Sequence, residues 1–162
     1  MNKIFLLLCI LVLIPSCAPT STPVLTSTPD GLISPSVEVV DKFYKTINEA
    51  QKEEDLWAAY MMLTTEAMCS PYIFAYCEPS SFQKKWWKSK VAYKLYDCGD
   101  NVVIAEETRY PRGDDSLDSS SAPRLSRFKL TQTEEALLIS DVSFTPSIAE
   151  GCVLKVDRSE MP

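Results

Sequence analysis

Glu106 and Glu107 lie in the apolar run Val102 to Tyr110, whose composition predicts a strand with alternate side chains facing opposite ways. Val102, Ile104, Glu106, Thr108 and Tyr110 share one face; Val103, Ala105, Glu107 and Arg109 share the other. One of the two acids therefore points inward. A carboxylate in apolar surroundings has its pKa raised and can serve as a general acid or base. Asp41, beside Val40 in a helical pattern, is a second candidate. The plainer reading, which we favour, is that an inward glutamate pairs with a neighbouring arginine or lies at a rim. The chain has no histidine, which excludes a Ser-His-Asp triad, a Cys-His pair and a His-ligated zinc. Without a second recognisable partner for either acid, no catalytic residue, metal ligand or cofactor is assigned, and an enzyme is the less favoured reading.

Aromatic side chains are dense between residues 57 and 93: Trp57, Tyr60, Tyr72, Phe74, Tyr76, Trp86, Trp87 and Tyr93. An aromatic-lined pocket with a few polar groups is the usual form of a small-molecule site, but a small domain also needs such side chains to fill its core. Lys84, Lys85, Lys88, Lys90 and Lys94 fall close together with no acid among them, which suits either an anionic surface or a solvated helix face. Arg112-Gly113-Asp114 matches the integrin-recognition tripeptide and reads here as turn chemistry.

The elements that must hold these groups begin near Ser34-Pro35, an N-cap followed by a proline at the first helical position. Val37, Val40, Phe43, Tyr44 and Ile47 continue at helical spacing. Asp55 is read as the cap of a second helix carrying Leu56, Ala59, Tyr60 and Leu63 and ending near Met68. Ser80 to Gln83 has the capping-box form and opens a short third helix. From Val91 the pattern turns to strands: 91–98, 102–110, 124–131 and 136–144. The expected class is α+β, three N-terminal helices packed on a curved four-stranded antiparallel sheet. The 162 residues, 46% of them hydrophobic, suit one such domain.

The start of the chain supplies an address. Met1-Asn2-Lys3 is positive, Ile4 to Ile14 is apolar throughout, and Ile14-Pro15-Ser16-Cys17 closes the run. Eleven apolar residues are too few for a spanning helix, which needs about 20, and they suit a secretory leader. The ending resembles the bacterial lipobox, with Ile14, Ser16 and Cys17 in its places and Pro15 at its variable position. The resemblance implies lipid on Cys17; the alternative is a plain secreted protein cut nearby. Residues 18–36 are rich in Pro, Thr and Ser with one charge, Asp30, as a tether would be. The organisation is then a signal peptide at 1–16, a lipidated Cys17 with its tether to residue 36, and one domain over 37–162. Such a mature chain carries fifteen basic against 22 acidic side chains, a net of −7. Nucleic acid is not an expected partner. The membrane is, through the lipid anchor, on the extracytoplasmic side of a cell or outer membrane.

In that compartment the four cysteines left after Cys9 and Cys17, namely Cys69, Cys77, Cys98 and Cys152, read as two disulfides. Three pairings are open. Cys69 with Cys77 closes a short local loop and is preferred, which leaves Cys98 for Cys152. In a four-stranded meander that second pair needs the tail, residues 147–156, to run back along the sheet.

The element order, together with Val40-x-x-Phe43-Tyr44, Ala59-Tyr60 and the closing run Leu138 to Phe144, resembles the nuclear transport factor two-like superfamily, also called cystatin-like or SnoaL-like. Its members wrap a curved sheet around a long helix into a cone. Some are isomerases, dehydratases or cyclases with an acidic or histidine base inside the cone, and many envelope lipoproteins of this type have no known activity. The resemblance implies that the aromatic segment forms the cone mouth, where Trp57, Tyr60, Trp86 and Tyr93 would meet a small hydrophobic ligand. The expected function is a tethered, noncatalytic module binding such a ligand or another envelope protein. The alternative is an isomerase or dehydratase working through a buried carboxylate. A filled cone with an exposed apolar edge would mark a purely protein-binding role.

Overall fold

The computed structural model describes residues 32–70, 77–113 and 121–160. The leader, Cys17 and the tether up to residue 31 lie outside these residues, as do Tyr72, Phe74, Tyr76 and Asp114. Helix α1, Pro35–Glu49, starts as its sequence dictates: the Ser34 hydroxyl accepts the Val37 N–H, and Pro35 occupies the first turn. Val37, Val40, Phe43, Tyr44 and Ile47 follow one stripe and are all fully buried. Phe43 sits at the centre, its ring 5.6 to 6.3 Å from those of Tyr44, Phe82, Trp86 and Phe128.

The expected second helix is instead three short pieces. Asp55 does not cap a long helix; its carboxylate accepts the N–H groups of Gln51 and Lys52 and folds Glu53–Leu56 into a 3-10 turn. One helical turn follows, α2 at Trp57–Tyr60, and then the chain leaves the helix. Thr64 N–H reaches the Ile139 carbonyl at 2.8 Å and Ile139 N–H reaches the Met62 carbonyl at 2.9 Å, so Leu63 pairs with the sheet. Thr64 then caps α3, Thr65–Met68. The apolar stripe Leu56, Ala59, Tyr60 and Leu63 is buried as expected, but two bonds to a distant strand outweigh helical continuity. Helix α4, Pro79–Trp87, begins with Glu78 as N-cap, because Pro79 at N1 fixes the start ahead of Ser80.

Five antiparallel strands form one open sheet in the order β4-β3-β2-β1-β5. They are β1 Ser89–Asp97, β2 Val102–Pro111, β3 Arg124–Gln132, β4 Leu137–Phe144 and β5 Val153–Arg158. Four strands were expected, and the fifth comes from the tail. It pairs with β1, Asp97 opposite Val153, which brings Cys152 beside Cys98. Disulfides join Cys69 to Cys77 and Cys98 to Cys152. The class is α+β, with α1 packed on one face of the sheet.

Arg112 ties this layer to the strands. Its guanidinium donates to the carbonyls of Ile47 and Ala50 at the end of α1 and of Trp87 at the end of α4, at 2.8 to 2.9 Å, and stacks on Trp87. It thereby supplies donors to carbonyls that helix ends leave unpaired. Gly113 follows at a φ of +90°, a turn conformation that favours glycine. Asn48 adds a second tie, its amide exchanging two 2.8 Å bonds with the backbone of Val91.

Candidate functional site

Strand parity holds in β2: Glu107 faces α1 and Glu106 faces away. Glu107 is 2% exposed. Register places Arg124 of β3 directly opposite it, with Ser126 two residues on and Arg109 two residues along β2 itself. Tyr44 descends from α1 and donates its hydroxyl to Oε2 at 2.7 Å. The other oxygen, Oε1, accepts Ser126 Oγ at 3.1 Å, Arg109 at 3.4 Å and the Nε of Arg124. Burial, reinforced by the carboxylate, holds the Tyr44 phenol well above its ordinary pKa, so it stays a donor. Burial also lowers the Arg109 pKa, although the carboxylate opposes that shift.

A general base needs a free lone pair directed at a substrate proton. Glu107 spends both oxygens on four donors, two of them cationic. The space beside it amounts to about 20 Å³, bounded by Phe43, Trp86, Arg109, Arg124, Phe128 and Phe144. That volume is of the order needed for one water molecule, far below the roughly 300 Å³ at which small-molecule pockets begin. Glu106, half-buried on the opposite face, receives the Tyr96 hydroxyl at 3.2 Å.

Asp41 sits at the surface edge of α1. Its carboxylate accepts Tyr93 Oη and Arg158 Nε, each at 2.9 Å, and lies 2.7 Å from Lys45 Nζ. Partial burial would raise its pKa, but the bonds from Arg158, Lys45 and Tyr93 outweigh burial and leave it lowered. Beside this cluster a cleft of about 570 Å³ runs between α1, β1 and β5, lined by Lys45, Asn48, Lys90, Tyr93, Arg158 and Glu160 among others. Its walls are chiefly polar and carry both signs of charge.

The four aromatic residues expected at a binding mouth are not gathered around one cavity. Tyr60, Trp86 and Tyr93 are 5%, 4% and 1% exposed and belong to the core. Trp57 is exposed and lies against Tyr60, with ring centroids 5.4 Å apart. Tyr93 stacks on Tyr44 at 4.6 Å, while Trp86 carries the Arg109 guanidinium 3.9 Å from its ring centroid. Tyr93 reaches the large cleft and Trp86 the small cavity, which are different places. Lys84, Lys85 and Lys88 are exposed around the end of α4, and Lys90 lines the cleft. Of the integrin-recognition tripeptide, Arg112 is engaged in the three carbonyl contacts above.

Sequence reasoning missed Tyr44, Arg124 and Ser126 as partners of Glu107, and Arg158 as a partner of Asp41. Arg109 had a local signal, its i+2 position on the strand, and so did Lys45, one helical turn from Asp41. Among the described residues, no helix is long and apolar enough to cross a membrane. Compared with protein-family models, curated proteins and solved structures, the chain gives no match.

Proposed function

We propose that this protein is a lipid-anchored extracytoplasmic module of the nuclear transport factor two-like type that acts by binding another envelope component rather than by catalysis. The observation that carries the noncatalytic part is Glu107, whose carboxylate is fully engaged by Tyr44, Arg109, Arg124 and Ser126 within a packed interior. The alternative enzyme would need that carboxylate free and facing a substrate-sized space. The long helix laid on one face of an antiparallel sheet supports the superfamily reading. The leader, the Ile14-Pro15-Ser16-Cys17 ending and the Pro/Thr/Ser stretch support the anchor. With the interior filled by Phe43, Tyr44, Trp86 and Phe128, binding falls to the outside. There the two sheet edges expose Phe144 on β4 and Val153 and Leu154 on β5.

Two measurements test this. Mass spectrometry should find an acylated N-terminal Cys17, and Cys17→Ala should lose both the lipid and membrane partition. Chemical crosslinking on cells should join residues near Val153 or Phe144 to a partner. A turnover abolished by Glu107→Gln with the fold intact would overturn the noncatalytic reading.

A further inference from the structure

The cavity beside Glu107 has an uneven supply of hydrogen-bonding groups. Trp86 Nε1 and Arg109 Nε are both buried N–H donors in residues that wall it, and neither has an acceptor among the described residues. Buried donors without acceptors are rare enough to need an explanation. The one acidic group in the wall cannot take them, since Glu107 already accepts four donors. Charge is uneven in the same sense. Arg109 and Arg124 oppose a single carboxylate, leaving one positive charge in surplus. Nearby, local desolvation and then the two guanidinium groups hold the ammonium of the otherwise exposed Lys85 below its ordinary pKa. Tyr44 adds no negative charge, because its phenol stays protonated.

We propose that this cavity binds one monatomic anion of the halide type, chloride or bromide, held by Trp86 Nε1 and Arg109 Nε beneath Phe144. The volume of about 20 Å³ is of the order of one water or one small ion. A water must give hydrogens as well as take them, and beyond Glu107, which already accepts four donors, the side chains of the wall offer only the Ser126 and Ser143 hydroxyls as acceptors. An anion only accepts, and it cancels the surplus charge. The Arg109 guanidinium carbon lies 3.9 Å from the Trp86 ring centroid, so the two donors are carried by groups in direct contact. The assignment goes beyond the binding role proposed above and does not depend on it: the ion is a structural part of the core.

The test is thermal unfolding of the purified chain in sodium chloride, bromide or gluconate at equal ionic strength, joined to anomalous diffraction from crystals grown in bromide. Halide should raise the midpoint by about 3–5 °C at tenfold excess over its dissociation constant, and the midpoint should go on rising with the logarithm of halide concentration. One bromide should lie within hydrogen-bonding reach of both nitrogens. Trp86→Phe keeps the ring under Arg109 and removes the N–H, so the halide concentration needed should rise about tenfold, as for loss of one hydrogen bond to a charge. Coincident chloride and gluconate curves, or a cavity holding only water while bromide binds elsewhere on the surface, would overturn the proposal. Should Trp86→Phe fail to fold, the bromide position in the unaltered protein decides alone.

Discussion

Two carboxylates, Glu107 and Asp41, each accept a tyrosine hydroxyl and each face two cations, and the two tyrosines stack on one another at 4.6 Å. They differ in depth. The Glu107 side chain is 2% exposed, with Arg109 and Arg124 at 17% and 36%; that of Asp41 is 14% exposed, with Lys45 and Arg158 at 42% and 46%. The same parts therefore do different work. At the surface, water competes for every charge, and a pair contributes little beyond orientation. In the interior the charges depend on each other, because removing one strands the rest in a medium that cannot solvate them. The Glu107 cluster thus locks α1 to β2 and β3, whereas the Asp41 cluster pins the end of β5 to α1.

Glu107→Ala is the harshest test of that contrast. It leaves two arginines without their counter-charge and should cost about 3–5 kcal/mol of stability in urea unfolding. A loss under about 1 kcal/mol would show that the cluster is not holding the layers together. Opening the Cys98–Cys152 disulfide by double replacement with serine should cost about 2–4 kcal/mol, more than opening Cys69–Cys77, because the loop it closes is longer: the sequence separations are 54 and 8. Equal losses would mean that the unfolded chain gains nothing from the longer constraint. Tyr44→Phe removes one buried bond to a charge and should cost about 1.5–3 kcal/mol, while Tyr93→Phe should cost less. Reversal of that order would contradict the depth argument.

How much of this was legible beforehand follows from distance along the chain. Helix α1 was readable because its cap, its proline and its apolar stripe are neighbours in sequence. The inward turn of Glu107 was readable because strand parity is local. Arg124 and Ser126 were not, since their approach depends on the register between β2 and β3 across a connection that no periodicity fixes. Arg158 stands 117 residues from Asp41. Leu63 belongs to a helical stripe by spacing and was diverted by Ile139, a residue that sequence proximity cannot supply. Strand β5 was overlooked because its pattern, Val153-Leu154-Lys155-Val156, does not alternate; the register shift opposite Leu95 and Tyr96 explains why it need not.

The smallest expected effect is on pH dependence. Asp41 has a lowered pKa in the folded chain, so its contribution is complete above the unfolded value near 3.9 and fades as pH falls through the folded one. Asp41→Asn should flatten the stability curve slightly in that acid range and leave neutral pH almost unchanged. A large loss at pH 7 would place Asp41 with Glu107 rather than in contrast to it.

The disulfide pattern also sets a timetable. A chain that enters an oxidising compartment N-terminus first presents Cys98 there 54 residues ahead of its partner. During that interval Cys69, Cys77 and Cys98 are the thiols of the folding domain already made, and any two of them can be joined. Early closure of Cys69 to Cys77 leaves one thiol and one later choice. The small loop thus acts as a gatekeeper in time: it removes wrong partners before β5 arrives, and the last cysteine then registers that the sheet is complete.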